Sequence, residues 1–349
     1  MKRTVPWVDL AGSLSTALVS ARVGAVMNSG RLVGGAEVAL LESRVARWMG
    51  RKHGVAVSSG TAALELGLTA MGVGPGDEVV VPAVSFVATV GSVLRVGATP
   101  VVVDIGEAGP WMDPKAAEDA ITGKTRAVIP VHLFGSLAPR LKVGVPVLDD
   151  ACQSVCPGGP SVGAMTALSF YPTKVLGGLG EGGMVVTDDG NAAERLRRLR
   201  THGMDAEGLV VEIGGTNARL DGVSAAALNA RMESMGSEIL RRRAIAEAYD
   251  AVPGIAPVAR TETSPVAVYA IRHPRRDELA RSLGEAGVPT RVYYPQPVHE
   301  HPAISPRVRV VGSLERAESF CAETLALPCH GGMSADDLEY TVKALERLL

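Results

Sequence analysis

The sequence is short of aromatic rings. Three Trp, six Tyr and four Phe make up 4 % of 349 residues. A core of ordinary size must then be filled by Val, Leu, Ala and Met, and rings should gather elsewhere. Cysteine is equally scarce. Cys152, Cys156, Cys321 and Cys329 are few and unevenly spaced, which excludes a disulfide scaffold and points to a reduced, cytoplasmic setting. Cys152 and Cys156 stand four apart, but no second pair has zinc-ligand spacing, so no metal is expected. No apolar run reaches the ~20 residues of a membrane span, and MKRTVPWVDLAG has no apolar stretch of the secretory kind. Charge of one sign is not in excess either. With 35 Lys and Arg against 37 Asp and Glu, the net charge is −2; neither nucleic acid nor a membrane surface is expected as a partner.

What is present is an ordinary folded composition, 46 % hydrophobic and 21 % charged, in a chain long enough for about two domains. Val/Ile-rich runs recur at 55–59, 78–82, 100–104, 127–131, 145–150, 167–170 and 183–188. They lack polar alternation, so each reads as a strand covered on both faces. Helical stretches at 61–72, 86–96 and 114–121 separate several of them, the pattern of a mainly parallel α/β sheet. Val38, Leu41, Val45 and Trp48 fall at helical spacing in 36–49, and the basic run at 191–201 reads as a solvated helix face. The segment 220–250 reads as mostly helical. Beyond a Pro/Gly hinge at 252–257 the pattern shifts to a strand (266–271), a helix (276–286), a strand (290–294) and helices at 314–325 and 334–349. This implies a large domain over 1–250 and a smaller α+β domain over 251–349.

Three segments carry chemistry. In VAVSSGTAALELGL a strand ends and Gly60-Thr61 open a helix. First-turn N–H groups have no intrahelical partner and the helix dipole is positive there, which suits a phosphate; an ordinary N-cap reads the same way. In VPVLDDACQS, Asp149 and Asp150 sit where a buried strand runs out, with Gln153 three residues on. A carboxylate there needs a partner: an arginine, a metal or a protonated ring nitrogen. In SFYPTKVLGGLGEGGMVVTDD, Lys174 precedes a glycine-rich loop. A lysine in a partly dehydrated pocket can act as a nucleophilic amine. Residues 178–183 match G-x-G-x-x-G, but a strand follows where a dinucleotide site requires a helix, so that reading is rejected. A phosphate cradle, a strand-end aspartate and a lysine together are what pyridoxal phosphate needs: an anchor, a partner for the ring nitrogen and a Schiff-base amine.

The whole chain resembles the DegT/DnrJ/StrS-type nucleotide-sugar aminotransferases, which are fold-type-I pyridoxal-phosphate enzymes. The resemblance rests on VPWVDL, GRLVGGAEVALLE, VAVSSGTAALELGL, the stretch GDEVVVPAVSFVATVGSVLRVGATPVVVDI, PVHLFG, LDDACQS, SFYPTKVLGGLGEGG, GGTNARLD, VYYPQPVHEHPA and LALPCHGGMSADDLE, standing in that order. It implies a mainly parallel seven-stranded sheet with helices on both faces and a smaller C-terminal α+β domain. It makes Lys174 the catalytic Schiff-base lysine. Asp150 would face the pyridine nitrogen, Gln153 the ring hydroxyl, and Phe86 the ring face. Gly60, Thr61 and Ser169 would hold the phosphate, and Asn217 would reach the phosphate of a neighbouring subunit, so a homodimer with shared sites is implied. Tyr294 and His299 are candidates for the substrate pocket.

The activity implied is transfer of an amino group, from glutamate, to a keto group of a nucleotide-linked deoxysugar, with pyridoxamine phosphate as the alternate cofactor form, in aminosugar or antibiotic biosynthesis. The same chemistry on a cyclitol or other non-nucleotide ketone is the alternative, and a non-catalytic cofactor-binding regulator a rival from another class. Two departures, the short GLVVEIGG stretch within 202–215 and Tyr293-Tyr294 in place of a His-Tyr pair, bear on the acceptor. Phe86, Phe134, Phe170, Tyr171, Tyr293 and Tyr294 all fall in these motifs, so the rings are expected around the site and the core is expected to do without them.

Overall fold

The computed structural model describes residues 3–14, 16–160 and 163–349. Helices α1 (Leu10–Leu14), α2 (Ala17–Ser29) and α3 (Ala36–Trp48) come first. An alternation follows: β1 (His53–Val57), α4 (Gly60–Ala70), β2 (Glu78–Pro82), α5 (Val87–Arg95), β3 (Thr99–Val103), α6 (Pro114–Asp119) and β4 (Thr125–Val128). Then come β5 (Leu148–Asp150), β6 (Met165–Ser169), β7 (Gly183–Thr187), α7 (Gly190–Leu199), α8 (Gly222–Arg231) and α9 (Met235–Asp250). The C-terminal part holds β8 (Tyr269–Arg272), α10 (Arg276–Glu285), the two-residue β9 (Arg309–Val310), α11 (Glu315–Glu323), β10 (Thr324–Leu327) and α12 (Ala335–Leu348).

The strands lie in the orders β1-β7-β6-β5 and β4-β2-β3-β9. Parallel bridges Val128–Val147 and Val131–Asp150 join the two halves into one surface. β7 runs antiparallel to both neighbours; the other pairings are parallel. The sheet is therefore the mainly parallel, seven-stranded one expected, with β9 added at its edge beside β3. The absence of polar alternation has a direct cause. Val55, Val57, Val79 and Val81 face one core with Leu64 and Leu68 of α4 and Val90 and Val93 of α5. Ala56, Leu168, Met184 and Val186 face the other with Leu41 and Val45 of α3 and Leu228 of α8. Alternate residues enter different cores, and both are apolar.

Three expectations change. Residues 290–294 do not form a strand: Arg291 makes a single bridge to Ala326, and Pro295 and Pro297, which cannot donate to a ladder, follow at once. The helix expected to reach Leu325 stops at Glu323. The chain turns into β10, which pairs antiparallel with β8 so that Leu325 faces Ile271. The segment 220–250 is mostly helical, as expected, with a short 3₁₀ turn at Met232–Ser234 between α8 and α9. The core does not do without rings: Tyr249, Tyr269 and Phe170 head the largest fully buried side chains. Tyr249 and Tyr269 lie 5.0 Å apart between centroids. Their hydroxyls donate to the Pro328 carbonyl and to Asp250, each at 2.8 Å, which removes the cost of burying a polar tip.

The C-terminal part does not stand off from the sheet. Leu314, Ala317 and Phe320 enter the core beside α4 and α5, and Arg309 pairs with Glu78 at 2.9 Å. Among the described residues no helix is long and apolar enough to cross a membrane.

Candidate active site

At the carboxyl ends of a mainly parallel sheet, loops and helix starts leave a crevice. Here the β1–α4 junction, the end of β5 and the segment after β6 meet there. Ser59 caps α4, its hydroxyl accepting from the Ala62 N–H at 3.1 Å. That leaves the first-turn amides at Gly60 and Thr61 aimed outward. Gly60 lies close under Ser169: a Cβ there would sit 2.8 Å from Ser169 Cβ and 2.9 Å from Cys152 Sγ. The helix start, the Thr61 hydroxyl and Ser169 thus form a tight, donor-rich concavity at the positive end of a dipole.

Asp150 is the last residue of β5 and is buried. Its Oδ2 accepts from Thr89 Oγ1 at 2.7 Å and its Oδ1 from the Cys152 N–H at 3.2 Å. Asp149 serves a different purpose. It faces His132, whose Nε2 lies 3.2 Å from Asp149 Oδ1, and its Oδ2 accepts from the Gly163 N–H at 2.8 Å. The Ala138 N–H donates to His132 Nδ1 at 2.9 Å, so the ring proton sits on Nε2 and is given to Asp149. The partner of Asp149 is thus a histidine, not the arginine, metal or ring nitrogen the sequence suggested for this pair.

Gln153 is held at both ends. Its Oε1 accepts from the Phe134 N–H at 2.6 Å and its Nε2 donates to Tyr294 Oη at 3.2 Å. Phe134 adopts a left-handed backbone (φ 60°) that points this N–H at Gln153. Burial, with the charge of Asp150 adding to it, pushes the Tyr294 hydroxyl well above its ordinary range, so it keeps its proton. Burial likewise raises the Cys152 thiol, with Asp150 reinforcing and Lys174 opposing; Cys152 is a neutral wall, not a nucleophile. Lys174 is half-buried after β6. Its backbone N–H donates to the Tyr171 carbonyl at 2.8 Å. Phe86 heads α5 and is 55 % exposed. Its ring stands 6.1 Å from that of Tyr294.

These groups surround one cavity of about 540 Å³. Of the residues named from sequence, Gly60, Thr61, Phe86, Asp150, Gln153, Ser169, Lys174 and Tyr294 line it. Asn217 and His299 are not among the lining residues. Asn217 is exposed and its Oδ1 accepts from Arg219 Nε at 3.1 Å. His299 lies 3.9 Å from Glu318 through Nε2. Tyr293, one of the rings expected around the site, also lines the cavity, and so do Trp7 and His330, which sequence reasoning missed. Trp7 and Tyr293 pack at 6.4 Å between centroids, and Arg291 lies 5.4 Å above Trp7. His330 Nε2 donates to the Pro6 carbonyl at 3.2 Å. The scarcity of rings was the available signal for Trp7.

The model of the DegT/DnrJ/EryC1/StrS aminotransferase family matches residues 15–346. This chain belongs to that family. Among its relatives, the dTDP-3-amino-3,4,6-trideoxy-alpha-D-glucose transaminase of Streptomyces venezuelae is 41 % identical over 346 residues, 93 % of this chain and 90 % of the relative. The crystal structure of S. venezuelae DesV superposes with a TM-score of 0.93 at 36 % identity, covering 99 % of this chain and 98 % of the other. That of ntda from Bacillus subtilis, with bound cofactor pmp, gives 0.92 at 26 % identity, covering 100 % and 86 %. The aminotransferase thus has the fold-type-I architecture that the sequence motifs implied.

Proposed function

We propose that this aminotransferase moves an amino group from glutamate to a keto group of a nucleotide-linked deoxysugar, using pyridoxal phosphate attached at Lys174. The observation that carries the reading is the convergence of the α4 start, Asp150 and Lys174 on one cavity. The donor set fits the cofactor. The Gly60 and Thr61 amides with the Thr61 and Ser169 hydroxyls cradle a phosphate, and the close approach of Gly60 to Ser169 gives that cradle its depth. Asp150 would accept a hydrogen bond from the protonated ring nitrogen, Gln153 would contact the ring hydroxyl, and Phe86 would cover the ring face.

Bound pyridoxal phosphate supplies an electron sink for the transfer. Lys174 would provide the attaching amine, and its Nζ would move the proton that amino transfer requires. Tyr294, kept protonated, accepts from Gln153 Nε2 and helps hold that side chain in place. Asn217, exposed and away from its own cavity, reaches the phosphate of a second copy, so the working unit is a homodimer with shared sites. Exposed Leu209, Val210, Val211 and Ile213 shortly before Asn217 support contact with that copy.

The test is spectroscopic. Protein incubated with pyridoxal phosphate and desalted should be yellow, and borohydride should bleach the band and leave the cofactor's mass on the peptide containing Lys174. Lys174→Ala should lose both the covalent mass and turnover. A protein that takes up no cofactor, or a mass fixed on another lysine, would refute the assignment.

A further inference from the structure

We propose that Thr89 and Ser85 are positioning residues that aim the Asp150 carboxylate at the cofactor's ring nitrogen through a directed chain of two hydroxyls. Thr89 is fully buried in the first turn of α5, and Ser85, just before that helix, is nearly so. Ser85 Oγ and Thr89 Oγ1 lie 2.6 Å apart, and Thr89 Oγ1 lies 2.7 Å from Asp150 Oδ2.

The direction of the chain follows from proton counting. A carboxylate only accepts, so Thr89 gives Asp150 its single hydroxyl proton. Thr89 can then only accept from Ser85, and Ser85 must donate. A buried helical threonine commonly turns its hydroxyl to a carbonyl of the preceding turn. Thr89 instead spends it on a strand 61 residues away. Its neighbours Val90 and Val93 are fully buried and apolar, so a valine would serve packing as well as threonine does.

With Oδ2 held by Thr89 and Oδ1 by the Cys152 amide, the carboxyl group is fixed at both oxygens where Asp150 lines the cavity. Hydrogen bonds to the charged form make that charge a steadier partner for a cation.

The inference rests on Asp150 facing the ring nitrogen, and the test separates the two claims. The readout is the pH midpoint of the holoenzyme's visible band, measured beside kcat and KM. A proton on the ring nitrogen disfavours a second positive charge on the same conjugated system. Weakening Asp150 should therefore move the midpoint upward. Asp150→Asn should produce a large upward shift. Thr89→Val should shift it in the same direction and lower kcat roughly tenfold to a hundredfold, with KM for glutamate little changed. Thr89→Ser should restore both.

A midpoint unmoved in Asp150→Asn would overturn the reading of Asp150 itself. A midpoint that moves in Asp150→Asn but not in Thr89→Val would overturn the hydroxyl chain alone. If Thr89→Val fails to fold, Ser85→Ala carries the test: a smaller upward shift supports the chain, and no shift refutes it.

Discussion

Gly60 is a position where one methyl group separates two outcomes. A Cβ there would come within 3.0 Å of both Ser169 and Cys152, so one or both side chains must shift, and both line the cavity. Overpacking of this kind costs about 1–3 kcal/mol. Gly60→Ala should therefore lower the denaturation midpoint and weaken pyridoxal phosphate binding by roughly tenfold or more, read by equilibrium dialysis of the apoprotein. Unchanged affinity would show that the phosphate does not sit at the α4 start. The residues legible in the sequence were those whose chemistry is local: a glycine opening a helix, an aspartate ending a strand, a lysine beside glycines. Thr89 was not legible. It stands in a helix whose pattern asks only for a buried residue, and its meaning comes from Asp150, which is 61 residues away. Trp7 and Tyr293 become neighbours only when the N-terminal segment folds against the loop after residue 290.

At the scale of elements, α4 is the part on which the cofactor reading most depends. Its N-cap is Ser59, bonded to the Ala62 N–H. Ser59→Ala removes that cap at a cost of about 1 kcal/mol, and it loosens the turn that presents the Gly60 and Thr61 amides. Chemical denaturation should show the stability loss, and cofactor titration should show weaker binding. A loss of stability with full affinity would place the phosphate elsewhere. The seven central strands could be read because burial on both faces leaves an apolar run that no other element explains. β10 could not. Thr324-Leu325-Ala326-Leu327 continues the apolar pattern of α11, and only pairing with β8 turns it into a strand, a non-local preference that sequence patterning does not contain. Residues 290–294 erred the opposite way: β-formers are plentiful there, but the prolines that follow leave no room for a ladder.

The whole molecule carries the claim that two copies build one site. Ile213 is 90 % exposed, with Leu209, Val210 and Val211 beside it, an apolar patch that a lone chain would leave in water. Sedimentation should find a dimer, and Ile213→Asp should raise its dissociation constant. Mixing inactive Asn217→Ala and Lys174→Ala variants should recover activity, because a mixed dimer has one intact site. No recovery after demonstrated subunit exchange would mean that each site is built within one chain.

The central claim is amino transfer through Lys174 to a nucleotide-linked keto sugar. Its most direct test is mass spectrometry of a panel of nucleotide-linked 3-keto and 4-keto sugars and free cyclitol ketones, each incubated with glutamate and either the wild-type protein or Lys174→Ala. The account predicts an aminated nucleotide sugar formed in step with 2-oxoglutarate by the wild type, and none by the variant. Amination of a free cyclitol alone, or of any sugar by Lys174→Ala, would contradict it.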